Sequence, residues 1–139
     1  MLEGKCLCGA ARYRIEDDPV VVAHCHCVDC QKASGTGHAT GAMFLVQHVR
    51  LTGTTTEFQL KAESGNVVTR AFCPVCGSPI SGRNSDMPAH LTIALGTLDN
   101  PGALSPQVII FARNRPGWDA MDAGLPAFEA QPARQPPQG

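Results

Sequence analysis

The stretch FCPVCGSP, Phe72 to Pro79, carries a CxxC pair followed by Gly77. Such a turn presents two thiolates to one metal ion, and the glycine supplies the tight backbone that the turn needs. Two sulfurs do not complete a tetrahedron, so further ligands must come from elsewhere in the chain. KCLCGA, Lys5 to Ala10, is the matching half, a CxC pair followed by Gly9. In extended chain, residues i and i+2 point to the same side, so Cys6 and Cys8 can both reach one ion. Cys6, Cys8, Cys73 and Cys76 together make a complete four-sulfur site that ties the first strand to a distant hairpin. A structural zinc held this way contributes folding free energy directly, roughly 10 kcal/mol in small peptides.

The chain holds seven cysteines, so three remain: Cys25, Cys27 and Cys30, within AHCHCVDCQ. Three thiolates on one short loop cap three corners of a tetrahedron and leave the fourth to water or substrate, the arrangement of catalytic zinc sites. Spacing does not make this partition unique. One of the trio can exchange roles with a cysteine of another cluster, or a histidine can fill the fourth corner. His24 and His26 alternate with the cysteines and in an extended loop face away from them, whereas His38, further along, is better placed. The plainer readings are a second, purely structural zinc at the trio, a redox dithiol at Cys73 and Cys76, and buried free thiols at Cys6 and Cys8.

The remaining sequence bounds the setting. A chain of 139 residues suits one domain, taken as residues 1–129, with a disordered Pro- and Gln-rich tail over 130–139. Aromatics make up only 5%, so the core gains less from burial and metal cross-links would help it. The net charge of −1 is scattered, which gives a nucleic-acid or membrane partner no electrostatic footing. The start MLEGKC lacks the pattern of a secretory signal, and the apolar run PVVVA is too short to span a bilayer. The expected compartment is the cytoplasm, where thiols stay reduced and clustered cysteines read as metal ligands. An odd cysteine count also rules out complete internal pairing.

Short apolar or alternating runs recur: ARYRIE, GAMFLV, TEFQL, NVVTRAF, HLTIALG and QVIIFA, separated by turn formers. They predict a mainly β, mainly antiparallel fold, with one helical turn at VDCQKAS ended by Gly35. Exposed strand edges make a homodimer a natural expectation. Trp118 reads as packing, Arg113 and Arg115 as solvated, and Lys32 as a cation beside the trio.

GKCLCGAARYRI, HCHCVDCQKASG and RAFCPVCGSPI occur in that order, with FARNRPGW and LPAF near the end. The set resembles the glutathione-dependent formaldehyde-activating enzymes, grouped with centromere protein V, from Gly4 to Phe128. The resemblance implies a β-tent, two layers of antiparallel strands pinned by zinc. It implies two zinc ions per chain, a structural one on Cys6, Cys8, Cys73 and Cys76 and a catalytic one on Cys25, Cys27 and Cys30. The implied activity is condensation of formaldehyde with glutathione to S-hydroxymethylglutathione, a carbon–sulfur lyase reaction read in reverse.

Three thiolates suit that chemistry. They give zinc a formal local charge of −1, which weakens it as a Lewis acid for water and favours a soft ligand, a substrate thiol. His26 and His38 are the acid–base candidates for the carbonyl oxygen. Arg83, Arg113 and Arg115 are the candidate forks for the carboxylates of glutathione. The alternative is a zinc-stabilised binding module with two structural zinc sites and no catalysis. A methionine sulfoxide reductase, on a similar broad fold, needs a cysteine outside the metal ligands, and all seven are claimed.

Overall fold

The computed structural model describes residues 1–62 and 64–132. Most of the expected tail, 133–139, lies outside the described residues. In chain order the elements are β1 (Leu2–Lys5), β2 (Arg12–Ile15), β3 (Val21–Cys25), α1 (Val28–Ser34), β4 (Ala39–Leu45), β5 (Val49–Thr52), β6 (Thr56–Lys61), β7 (Val67–Phe72), β8 (Pro79–Asn84), β9 (His90–Ala94) and β10 (Val108–Ile110). Short 3-10 turns follow β4, β9 and β10. The described residues are therefore mainly β with one short α-helix. The chain divides into two compact units, residues 1–22 with 40–105, and residues 23–39 with the described part of 106–139.

The first unit holds a three-stranded antiparallel sheet in the order β1-β2-β5. Its central strand shows the alternation of RYRI: Tyr13 and Ile15 are buried, and Arg12 and Arg14 are exposed. A second run in this unit has the order β4-β9-β8-β7-β6, with every neighbour antiparallel. Phe44, Ile80, Leu91 and Ile93 from these strands join Tyr13 and Ile15 in one buried cluster. Each such side chain stabilises the fold by about 1.5–3 kcal/mol on burial. Cys6 and Cys73 belong to the same cluster, so the four-sulfur group is built into the core wall.

Four strands lie outside the apolar runs of the sequence: β1, β3, β5 and β8. They are only four to six residues long. Local features hide two of them, since Gly4 interrupts β1 and Pro79 opens β8. Pro79 is tolerated because it is the first residue of its strand. The register shifts at Ala71 and Phe72, where β7 meets β8, immediately before Cys73. This irregularity turns the chain out of the ladder into the cysteine knuckle.

The second unit holds the exception to the mainly antiparallel pairing. Here β3 pairs with β10 in parallel, with Ala23 opposite Val108 and Cys25 opposite Ile110. A parallel pair needs a long connection, and these two strands are far apart in sequence. The segment ending at Phe128 returns along β10, where Ile109 N–H donates to Pro126 O and Phe128 N–H to Ile109 O, both at 2.9 Å. Helix α1 spans VDCQKAS as the sequence predicts. It ends at Gly35, whose φ of 77° is the left-handed cap and whose amide donates to Gln31 O at 2.8 Å.

Candidate metal centres

Two hairpin turns of the first unit bring four sulfurs together. After β1, the Cys6 amide donates to Ala11 O at 3.0 Å and the Gly9 amide to Cys6 O at 3.1 Å. After β7, Cys73 N–H donates to Ser78 O and Gly77 N–H to Cys73 O, both at 2.9 Å. Gly77 has a φ of 77°, the left-handed conformation for which the knuckle needs glycine. Ser78 joins the turns, because its Oγ accepts from the Leu7 amide at 3.0 Å and lies 3.2 Å from Cys76 Sγ.

The sulfur spacing is that of a metal tetrahedron. Zn–S bonds of about 2.3 Å at tetrahedral angles put sulfurs about 3.8 Å apart. Cys6 Sγ lies 3.6 Å from Cys8 Sγ, and Cys8 Sγ lies 3.7 Å from Cys73 Sγ. All four ligand atoms fall within 4.8 Å of one another, and none of the cysteines is in a disulfide. Amides already aim at the sulfurs, from Ala11 to Cys6 at 3.3 Å and from Val75 to Cys73 at 3.4 Å.

The electrostatics point the same way. The Ala11 amide draws the Cys6 thiol down. Hydrogen bonds from the Ser78 hydroxyl and amide take Cys76 down to about 5. The Ala10 amide also pulls at Cys8, but desolvation and the crowding sulfurs of Cys6, Cys73 and Cys76 push it up to about 11. Four thiolates this close repel one another, and a dication removes the conflict. The donor set and its spacing fit zinc.

Cys25, Cys27 and Cys30 form the second group, on β3, at the helix N-cap and in the first turn of α1. Their ligand atoms lie within 4.8 Å of one another, and all three residues are half-buried. Cys27 caps α1, its Sγ accepting from the Cys30 amide at 3.2 Å. Contacts with Cys27 and Cys30, and then burial, push the Cys25 thiol far up. Cys25 pulls Cys27 down, but Cys30 and burial outweigh it and raise Cys27. Three thiols in this state ionise together only with a cation among them. The trio fits zinc as a three-sulfur donor set.

The histidines do not complete it. His26 and His38 gather instead with Asp119 as a separate group in the second unit. His26 is fully buried, with Nδ1 at 2.7 Å from Gly37 O and 3.4 Å from Asp119 Oδ2. His38 Nδ1 lies 2.7 Å from the same Oδ2. The His24 ring meets the His38 ring edge-on at 4.9 Å. Burial, then His38 and His26, hold His24 below the usual imidazole value, with Asp119 opposing.

Sequence reasoning misses Asp119 and Gln31. Gln31 Nε2 donates to His26 O at 2.8 Å and to Asn114 O at 3.0 Å, so it clips the trio loop to the turn after β10. That turn begins at Phe111, the one described non-glycine residue at positive φ, 54°. Neither residue has a spacing signal: Asp119 lies 81 positions from His38, and Asn114 lies 83 from Gln31. Trp118 overturns its packing assignment, being 71% exposed. Arg115 is held, its Nη1 donating to Asp119 O at 2.8 Å, and Arg113 lies 5.8 Å from the centre of the Phe111 ring. Arg83 belongs to β8 of the first unit.

No helix of the described residues is long and apolar enough to cross a membrane. No curated protein matches the chain. Among solved structures, a Rhodobacter sphaeroides protein shares the fold with a TM-score of 0.59 at 18% identity, covering 91% of this chain and 98% of its own. The sequence profile described as glutathione-dependent formaldehyde-activating enzyme matches residues 1–114, which include all seven cysteines. The chain belongs to the family of glutathione-dependent formaldehyde-activating enzymes.

Proposed function

We propose that the protein is a zinc-dependent carbon–sulfur lyase acting on thiol–aldehyde adducts. The type is S-(hydroxymethyl)glutathione synthase, with glutathione and formaldehyde as the reacting pair. The observation that carries this reading is the division of the seven cysteines into a group of four and a group of three. Among the described residues, no histidine or carboxylate joins the three. A four-sulfur group is closed, whereas a three-sulfur group leaves one corner of the tetrahedron for a substrate.

Cys25, Cys27 and Cys30 would hold zinc, which would favour a soft ligand at that corner and ionise a substrate thiol for attack on an aldehyde carbon. In condensation a sulfur–carbon bond forms and the carbonyl oxygen gains a proton. In cleavage the same bond breaks and that proton leaves. His26 and His38 are the residues assigned to the proton. Each ring commits Nδ1 to a fixed acceptor, Gly37 O for His26 and Asp119 for His38, which leaves Nε2 of His38 as the atom that exchanges, since Nε2 of His26 is buried with no partner among the described residues. His38, with 23% of its side chain exposed, has the route to solvent that His26 lacks. Arg113 pairs with no carboxylate among the described residues and is the proposed fork for a carboxylate of glutathione. Arg115 is already engaged, and Arg83 is the remaining candidate.

The same reading takes a β-tent with two zinc ions as the fold and the cytoplasm as the compartment. It includes a homodimer through strand edges and no nucleic-acid or membrane partner. The alternative, a non-catalytic binding module with two structural zinc sites, draws support from Leu7 and Val75, apolar and exposed at the two knuckle tips. That alternative requires a closed second site. Titrating glutathione into the cobalt-substituted protein separates the two. The lyase reading predicts a saturable change in the cobalt absorption of the second site. A spectrum indifferent to glutathione supports the module.

A further inference from the structure

Asp119 is buried, and its place is fixed from several sides. Its amide donates to Pro116 O at 3.0 Å, and its carbonyl accepts from Arg115 Nη1 at 2.8 Å. Its carboxylate fills the space over Gly37, where an added Cβ would overlap it. From there Oδ2 reaches two rings, His38 Nδ1 at 2.7 Å and His26 Nδ1 at 3.4 Å. His26 stands between two of the trio's sulfurs in sequence, Cys25 and Cys27. Its main chain is pinned as well, because its amide donates to Ile110 O at 3.1 Å and its carbonyl accepts from Gln31. The ring and the main chain of this one residue together set where the two sulfurs stand. Among the described residues His26 Nε2 is buried without a partner, so polar contact there holds the ring through Nδ1.

We propose that Asp119 is the positioning residue of the trio. By bonding His38 from Oδ2 and packing over Gly37, whose carbonyl accepts from His26 Nδ1, itself 3.4 Å from the same Oδ2, it preorganises the loop that carries Cys25 and Cys27 for the second metal. This rests on the reading that the trio binds zinc. Asp119 acts at one remove from the outer partners that bond metal ligands directly, whose loss typically weakens metal affinity 10- to 100-fold, so the low end of that range is the expected loss. Its effect is confined to the second site, because Cys6, Cys8, Cys73 and Cys76 belong to the other compact unit.

The test is a competitive chelator titration of zinc on the intact protein, resolving the two sites, with Asp119→Asn, Asp119→Ala, Gly37→Ala and the double variant Gly37→Ala/Asp119→Ala. Asp119→Asn keeps the size of the side chain and should weaken the second site about tenfold while leaving the first site and the melting of its unit unchanged. Gly37→Ala should do the same by displacing the carboxylate. In the Asp119→Ala background, Gly37→Ala should add less than it costs alone, since the carboxylate is gone and only the Cβ of residue 119, 2.7 Å from the added methyl, remains in its way. A purely structural role predicts additive losses at both sites. Histidine ring NMR gives a second readout: the Nδ1–H tautomer of His38 should dominate in the wild type and lose that dominance in Asp119→Asn. Wild-type affinity at the second site in Asp119→Asn, or full additivity in the double variant, overturns the proposal. A wild-type protein that takes up zinc only at the four-sulfur group overturns the underlying reading, and this proposal with it.

Discussion

Removing the sulfur of Cys73 tests how far the fold leans on its four-sulfur group. The residue is fully buried, its sulfur accepts the Val75 amide at 3.4 Å, and it stands 3.7 Å from Cys8 Sγ. Structural zinc contributes roughly 10 kcal/mol, so an equal share among four sulfurs gives about 2–3 kcal/mol for one ligand. Cys73→Ala also empties a packed position in the core cluster and leaves three thiols without their full complement, adding about 1–2 kcal/mol. The sum, about 4 kcal/mol, is a large fraction of the roughly 5–15 kcal/mol by which domains are stable. The expected outcome is a melting temperature lowered by at least about 10 °C, or no cooperative transition at all. Thermal melting by circular dichroism, with zinc content measured on the same sample, reads both consequences. A Cys73→Ala protein that melts like wild type and carries the full zinc content refutes the reasoning.

Three further outcomes follow from other parts of the structure. Freshly purified protein should carry close to two zinc ions per chain, and chelator should empty the three-sulfur site first; simultaneous loss would contradict the unequal sites. Cys27→Ser should lose the second zinc but keep α1, because serine is a good N-cap and can accept from the Cys30 amide as Cys27 does; metal analysis and helix content measure the two separately, and retention of both metals would refute the ligand assignment. Burial holds the Tyr13 hydroxyl up to about 12, with the Thr97 bond pulling the other way and Asp99 adding to the rise. An unfolded tyrosine ionises near 10, so this contribution is fully present below about pH 10 and is lost as pH rises toward 12, on the order of 2–3 kcal/mol. The chain has one tyrosine, so its tyrosinate absorbance reports the midpoint directly, and a folded midpoint near 10 would contradict the burial argument.

What is legible in the sequence is whatever local chain geometry decides. CxC and CxxC each fix two sulfurs within a single turn, so each pair can be read from cysteine spacing, while the partition into four and three is not made unique by spacing. Gly35 marks the end of α1 for the same reason, since a left-handed cap is a local demand. The alternation in RYRI shows Tyr13 and Ile15 facing inward. What long-range packing decides stays hidden. The β3 and β10 pair is parallel because two distant segments meet, and no pattern within either strand states its direction. In sequence Asp119 is one more acid beside a tryptophan, and only the fold brings it to His38 and His26. Trp118 reads as packing because tryptophan usually buries most of its area; here the turn fixed by Asp119 and Arg115 leaves it in solvent.

The central claim is that the trio is a working site for a thiol and an aldehyde. Exchange NMR on a mixture of formaldehyde, glutathione and their adduct, with zinc-loaded protein against the enzyme-free rate, tests it most directly. The account predicts accelerated interconversion by the wild type and a return toward the spontaneous rate with Cys27→Ser. No acceleration by fully loaded wild type would contradict the formaldehyde–glutathione reading. Equal acceleration by Cys27→Ser would contradict the role of the three-sulfur site.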